Sequence, residues 1–520
     1  MPRPVTLLTA AAPSLVFAAL ALAALIPAQP PQPFPHRWVR ISSQLRTDDD
    51  VEKIRRLART ASENGLTGAL MAIGLDSIDL KGPDYLARLE SVKDILKQNR
   101  LEMIPNIFSG GYGGAILAHD RNLAEGFEVR DLLYTARDGQ ATLVPEVPLD
   151  YTGPAVDRLW TRDLAVKPYR CYRVTFRAKT AGLPETRPFT SGAFRLNVVT
   201  PDNRNLTPWN ARMPATSDWR ETTWGFNTQG YDKVTISIGI RPNTPGSASI
   251  DRVRVEEVGL LNVLRRSGTP ITVRADEGGT VYEEGRDFAP ISDPQLNFRF
   301  DHNGPPIRLL PNSRIRNGQR LRVSYYHGFS INDGQTTICM GEPKTYEIWR
   351  DLARRMHAAA APPRYVLSMD EMRSGGTCAA CRGRNPGQLF GECVTRQFHM
   401  LREVNPKVDV WIWSDMLDPN HNARDKYYLV HGDYTGSWNH VPRDLGIVTW
   451  YFERRALSLP FFSKLGFRTL AGAYYDADNL DNPRAWLEEL RKTPNAQGIL
   501  YTTWLDKYDL LADFGQLVSK

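Results

Sequence analysis

Residues 365–373 read YVLSMDEMR, and the reading of this stretch decides the fold. An apolar run ends in two adjacent carboxylates, Asp370 and Glu371, with Arg373 two residues on. Either a buried strand meets a charged surface turn, or a barrel strand delivers a pair of acids to the barrel mouth. The flanking sequence separates these readings. PKTYEIWRDLARRMHAA, from 343, has helical spacing and precedes the strand RYVLSM. A second helix follows, LFGECVTRQFHMLREVNP, with Phe390, Val394, Phe398, Leu401 and Val404 on one face. Alternation of strand and helix demands parallel strands, because each helix carries the chain back across the sheet.

The same alternation continues in both directions. Toward the N-terminus, WVRIS (38–42) is a strand, and TDDD at 47–50 supplies an N-cap and first-turn acids. Val51, Ile54, Leu57, Ala58 and Ala61 then follow at helical spacing until Asn64-Gly65. GALMAI (68–73) and LEMIPNIF (101–108) are further strands, the latter running into SGGYGG. Toward the C-terminus come VDVWIW (408–413), GIVTWYF (446–452), TLAGAYY (469–475) and GILYTTW (498–504). Counting RYVLS, that makes eight strands, the number in a (β/α)8 TIM barrel of the α/β class. The intervening stretch differs in kind. YRVTFRAK, FRLNVV, WRETTWGF, VTISIGI and IDRVRVEEV alternate with period two, with no helix between them, which predicts a β-sandwich. The expected organisation is a leader at 1–28, barrel at 36–149, sandwich at 150–258, a small β-rich module at 259–330, and barrel again at 331–520. The barrel is thus interrupted after its third strand.

The leader, MPRPVTLLTAAAPSLVFAALALAALIPA, has Arg3, an apolar stretch from Val5 to Ile26, and small residues after it. That is the pattern of a signal peptide, so a secreted or periplasmic protein is expected. An uncleaved membrane anchor is the alternative reading of the same long apolar stretch. The formal charge of +7 is mild for 520 residues, and no dense Lys/Arg block occurs, which argues against a nucleic-acid partner. Nothing in the sequence calls for a cofactor or a catalytic metal, and nothing fixes an oligomeric state.

In such barrels the chemistry lies at the C-terminal strand ends. Strand four ends in Asp370-Glu371, strand five in Trp413-Ser414-Asp415, and strand six in Trp450-Tyr451. Strand seven ends in Tyr474-Tyr475-Asp476 and strand eight in Trp504-Leu505-Asp506. Aromatic faces stack on the C–H faces of pyranose rings, and carboxylates accept bonds from hydroxyls, so an oligosaccharide or polysaccharide is the expected partner. Two carboxylates held close raise one pKa and keep an acid protonated as a proton donor, which glycoside cleavage needs. His421, His431 and His440 lie in the loop after WSDM with no metal-ligand spacing.

Of the five cysteines, Cys339, Cys378, Cys381 and Cys393 cluster in sequence around the acid pair. Disulfides, a four-thiolate structural metal site and free thiols all fit a C-x-x-C with two further cysteines. Any cross-link there would pin the loop after Glu371.

Taken in order, MDE (369–371), WSDM (413–416), YYD (474–476) and TTW (502–504) make the chain resemble glycoside hydrolase family 20, the β-N-acetylhexosaminidases. The resemblance implies Glu371 as general acid/base, Asp370 orienting a 2-acetamido group, and Tyr475, or else Tyr474, bonding the acetamido carbonyl. It further implies Trp413, Trp450 and Trp504 as pocket walls, with Asp415, Asp476 and Arg46 taking sugar hydroxyls. Where the family has His-x-Gly-Gly before the acids, this chain has LSM, and where the family has Pro-Gly-His after strand three, it has SGGYGG. A non-catalytic glycan-binding or cell-wall-binding barrel, and a retaining glycosidase with Asp415 or Asp476 as direct nucleophile, are the alternatives. The 150–258 sandwich resembles jelly-roll carbohydrate-binding modules, with Trp209, Trp219 and Trp224 as a candidate binding face.

Overall fold

Eight parallel strands close into a barrel in chain order: β1 (His36–Ser42), β2 (Gly68–Ala72), β3 (Glu102–Ile107), β4 (Arg364–Leu367), β5 (Asp409–Trp413), β6 (Gly446–Thr449), β7 (Arg468–Tyr474) and β8 (Ala496–Thr502). β8 pairs back onto β1 through Trp38↔Leu500. The computed structural model describes residues 32–185, 192–207, 213–331 and 334–520. The expected leader and Trp209 lie outside the described residues. Among the described residues, no helix is long and apolar enough to cross a membrane.

Strand side chains alternate, so one residue of each strand fills the barrel axis: Trp38, Leu70, Ile104, Val366, Trp411, Val448, Leu470 and Leu500. The bulky Trp411 fits because β6 offers Gly446 beside it, where a Cβ would lie 2.1 Å from the indole. The opposite parity, including Val39, Ile41, Met71, Leu367, Ile412, Ile447 and Ile499, packs under the surrounding helices. Those helices are α1 (Asp48–Glu63), α2 (Pro83–Gln98), α3 (Gly114–His119), α4 (Pro343–Ala360), α5 (Pro386–Val404), α6 (Arg455–Lys464), α7 (Asp481–Lys492) and α8 (Leu511–Val518). At the start of α1 the Asp50 carboxylate accepts the backbone N–H groups of Arg46 (2.6 Å) and Thr47 (3.1 Å), satisfying donors the helix cannot.

Between β3 and β4 the described residues build three antiparallel sheets. One holds Phe194–Val199, Lys233–Ile240 and Leu159–Ala165. Another holds Ser217–Asn227, Cys171–Ala181, Ser247–Glu257 and Leu149–Tyr151, with Val156–Asp157 at its side. These two meet across a shared core, where Phe176 of the second stacks on Phe194 of the first at 6.1 Å. The six-stranded third sheet corrects the expected division. Phe127–Arg137 and Gln140–Leu143, expected with the barrel at 36–149, pair instead with Arg320–His327 and Ile307–Arg308. FEVRDLLYTAR alternates as a half-buried strand. Its partner lies nearly two hundred residues on, and local patterning cannot report such a pairing. Trp219 and Trp224 are both only partly exposed.

The cysteines also sort differently from their spacing. All five are buried and free, with no disulfide among the described residues. Cys339, Cys378 and Cys381 gather together, whereas Cys393, on α5, sits beside Tyr346.

Candidate active site

Counting by twos from the axis-filling residues brings the chemistry to the barrel mouth. One step on from Trp38, Ile104, Val366, Trp411 and Val448 stand Arg40, Asn106, Ser368, Trp413 and Trp450. A second step reaches Asp370 and Asp415, and two steps from Leu500 reach Trp504. The contacts follow this register. Trp413 Nε1 donates to Asn106 Oδ1 (3.2 Å), and Ser368 Oγ donates to Asp370 Oδ1 (3.1 Å). The Arg40 guanidinium lies 4.1 Å over the Trp504 ring and donates to Thr503 O (2.8 Å).

Strict alternation would turn Glu371 away from Asp370. Glu371 instead adopts φ 51°, a left-handed conformation rare for a non-glycine residue. Its N–H donates to Asp415 Oδ2 at 2.8 Å, which holds the turn. Both acids therefore stay at the mouth. Glu371 Oε2 accepts the Tyr112 phenol at 2.5 Å and pairs with Arg373 at 2.8 Å. Gln335 braces the turn, donating to Glu371 O (3.1 Å) and accepting from Arg373 Nε (2.7 Å).

Asp415 is fully buried behind this pair and takes a second bond from Asn422 Nδ2 (2.9 Å). Its Oδ1 makes no hydrogen bond among the described residues. Burial, reinforced by the neighbouring Asp370 charge, raises the Asp415 carboxyl well above its ordinary range. Burial, then the Glu371 charge, lifts Asp370 to about 6. Three carboxylates thus converge, and burial holds Asp370 and Asp415 toward their protonated forms.

Aromatic rings surround them. Trp413 and Trp504 approach to 6.3 Å, Tyr475 and Trp504 to 6.2 Å, and Trp450 lies parallel to Tyr475 at 6.0 Å. His421 stacks on Tyr451 at 4.4 Å and meets Trp450 edge-on at 4.5 Å. Burial lowers its pKa to about 4, so the imidazole is neutral at neutral pH.

Three expected site residues are placed elsewhere. At the end of β7, Tyr474, Tyr475 and Asp476 all have positive φ (77°, 57° and 59°), which breaks the alternation. Tyr474 is consequently buried among the helices, stacked on Tyr501 at 4.1 Å, while Tyr475 reaches the acids' side. Asp476 spends its carboxylate on the protein, accepting from Thr503 Oγ1 (2.5 Å), Trp504 N (2.9 Å) and Leu505 N (3.3 Å). Both its oxygens are occupied by donors of the Trp504 loop, which it ties to the end of β7. Arg46 is exposed beyond β1, at the start of α1. The arginine of the site is Arg40, whose charge acts on Asp370. Asp370, Glu371, Tyr475, Trp413, Asp415, Trp450 and Trp504 are brought together as expected from their strand ends. The sequence reading missed Arg40, Tyr112, Gln335 and Asn422, and gave Arg373 no role. Of these, only Arg40 carried a signal, its parity with Trp38.

No family model matches the chain, and no curated protein sequence matches it. Among solved structures, it is similar to a rhamnosidase from Novosphingobium sp. PP1Y at 10% identity and TM-score 0.34, covering 95% of this chain. It is similar to a Flavobacterium johnsoniae chitobiase at 8% identity and TM-score 0.37, covering 94% of this chain. A glycoside hydrolase family 20 β-N-acetylglucosaminidase matches at 9% identity and TM-score 0.36, covering 93%. The chain spans 60%, 51% and 69% of the lengths of these three proteins, in that order.

Proposed function

We propose that this chain is an exported glycoside hydrolase that cleaves a β-linked N-acetylhexosamine or a related sugar at the mouth of its barrel. The observation that carries this reading is the convergence of Asp370, Glu371 and Asp415 inside a ring of Trp413, Trp450, Trp504 and Tyr475. Indole and phenol faces suit a pyranose, and the unpartnered Asp415 Oδ1 and Trp450 Nε1 suit its hydroxyls. The leader-like sequence at 1–28 is the ground for export.

In this reading Glu371 gives its proton to the glycosidic oxygen as the C1–O bond breaks. The substrate's acetamido oxygen closes on C1, with Asp370, ionised, holding the acetamido N–H. Water then opens the ring at C1 and returns its proton to Glu371. Tyr112 and Arg373 hold the Glu371 carboxylate through the half of the cycle in which it is charged.

One observation favours a second route on the same site. The Arg373–Glu371 ion pair is what a carboxylate poised to attack C1 directly would need, with Asp370, lifted to about 6, as the proton donor. The two routes predict opposite limbs. If Asp370 must be ionised, kcat/KM rises as pH passes about 6; if it must be protonated, kcat/KM falls there. A fluorogenic panel of N-acetylglucosaminide, N-acetylgalactosaminide and galactoside, run with wild type and Glu371→Gln, tests the class. Undiminished turnover by Glu371→Gln, or glycan binding without hydrolysis of any glycoside, would refute it.

A further inference from the structure

Away from the sugar pocket, four buried side chains form a compact ligand set. The sulfurs of Cys339, Cys378 and Cys381 and a carboxylate oxygen of Glu125 all lie within 4.8 Å of one another. Cys339 Sγ is 3.5 Å from both Cys378 Sγ and Cys381 Sγ, and Cys381 Sγ is 3.8 Å from Glu125 Oε2. A disulfide would require one pair near about 2.05 Å, yet Cys339 stands equally far from two partners. A tetrahedral centre with Zn–S bonds of about 2.3 Å sets its sulfurs about 3.8 Å apart. Both edges from Cys339, at 3.5 Å, are close to that length.

The fourth corner is prepared by its hydrogen bonds. Glu125 Oε1 accepts three donors, Thr377 N (3.0 Å), Thr377 Oγ1 (3.0 Å) and Cys378 N (2.9 Å). That fixes the carboxylate and leaves Oε2 beside the sulfurs, the arrangement of a monodentate ligand supported by an outer shell. The C-x-x-C turn is closed by Cys381 N donating to Cys378 O (3.1 Å). Arg266, itself buried, lies beside Cys378 and is held by Glu342 (3.1 Å), Asn122 O (2.9 Å) and Ala124 O (3.0 Å). Three thiolates and a carboxylate around a dication leave excess negative charge, and a fixed guanidinium offsets part of it.

We propose that Glu125, Cys339, Cys378 and Cys381 bind a structural zinc ion. Three soft sulfurs and one oxygen in a closed tetrahedral, fully buried setting fit zinc and leave no open position for catalysis. The ion joins three distant segments. Glu125 lies just before the strand Phe127–Arg137, Cys339 between Arg320–His327 and α4, and the C-x-x-C in the loop that continues from Glu371 and Arg373. It therefore staples both ends of the β-rich insert to the loop carrying the candidate acid pair. Cys393 is outside the set.

The test is elemental analysis of the full chain purified without chelator, beside Cys381→Ser, Glu125→Gln and Cys393→Ser. Wild type and Cys393→Ser are expected to hold about one zinc per chain. Cys381→Ser is expected to hold none, and Glu125→Gln to release zinc to a chelator at least about tenfold faster. Because Cys381→Ser can misfold, the wild type is also reconstituted with Co(II), where thiolate charge transfer and intense tetrahedral d–d bands are expected. Zinc-free wild type, or a thiol titration in denaturant that finds two of the five cysteines oxidised, overturns the proposal.

Discussion

Tyr112 and Glu371 meet across 259 positions of sequence, the phenol donating to Glu371 Oε2 at 2.5 Å. The contact exists because SGGYGG can pass directly against the acid turn. A Cβ on Gly111 would lie 2.1 Å from the Asp370 carbonyl oxygen and 2.7 Å from that of Glu371, so any side chain there forces the turn apart. Gly110 N donates to Ser368 O (3.1 Å), which keeps the loop against the end of β4. The glycines that look like a lost motif are what bring the tyrosine to the acid.

Tyr112→Phe should therefore lower kcat/KM without unfolding the protein. A hydrogen bond to a charged group contributes about 1.5–3 kcal/mol, and the half-exposed phenol places the expected loss near the lower end, about tenfold. Gly111→Ala should be worse on both counts, with a lower Tm and activity, because it displaces the backbone of both acids. Steady-state kinetics and thermal melts of the two variants check this. Equal activity in Tyr112→Phe and wild type would remove the phenol from the mechanism.

Asp370 links activity to stability. Its carboxyl is lifted from the ordinary 3.8 to about 6 by burial and then by the Glu371 charge. Between pH about 4 and 6 the native state keeps a proton that the unfolded chain has lost. Stability due to this group therefore falls as pH rises across that window and stays lower above it. Asp370→Asn escapes the loss. Relative to wild type it should gain about 1–3 kcal/mol above pH 6, with no gain near pH 4, while losing most of its turnover. Urea unfolding at several pH values measures the difference, and parallel stability profiles would contradict the cause given for the shift.

Arg40 and Arg46 separate the strand register from the linear motif. Arg40 is buried against Trp504 and bonded to Thr503 O, whereas Arg46 is exposed. Arg40→Met should raise KM by about tenfold or more and cost about 1–3 kcal/mol of stability, since it strips a buried donor from its acceptor. Arg46→Ala should change both within error. The reverse ranking would restore Arg46 to the site.

The barrel was legible because its signal is local. Each apolar strand and amphipathic helix announces itself over a few residues, and the axis-filling Trp38, Val366, Trp411 and Leu500 share one parity. Asp370, Asp415, Trp413, Trp450 and Trp504 stand together at the mouth because they follow that parity to the strand ends. The errors arose where the backbone leaves it. The left-handed run at Tyr474–Asp476 sends the first tyrosine out among the helices, and the partners Tyr112 and Gln335 belong to loops whose approach depends on pairings far away in sequence. Phe127–Arg137 reads as part of the barrel for the same reason, since its partner Arg320–His327 is remote in sequence. The four clustered cysteines resolved into three plus Glu125, a residue more than two hundred positions before the C-x-x-C.

Asp476 gives the sharpest test of that break in register. Three successive non-glycine residues with positive φ cost of order 1–3 kcal/mol each, so the bend at Tyr474–Asp476 persists only if something holds it. Tyr475 N donates to Thr502 O (3.0 Å), and the Asp476 carboxylate takes Thr503 Oγ1, Trp504 N and Leu505 N, tying β7's end to β8's. Asp476→Ala deprives all three donors of their acceptor at once. The expected result is a loss of about 2–4 kcal/mol in stability, with Trp504 released from its place beside Tyr475 and Arg40. Binding of the proposed glycoside substrate should then weaken more than turnover falls, so KM rises while kcat drops less. Asp476→Asn, which keeps an acceptor oxygen, should recover part of both. An Asp476→Ala protein with wild-type KM would show that the Trp504 loop holds itself, and that Asp476 is no positioning residue.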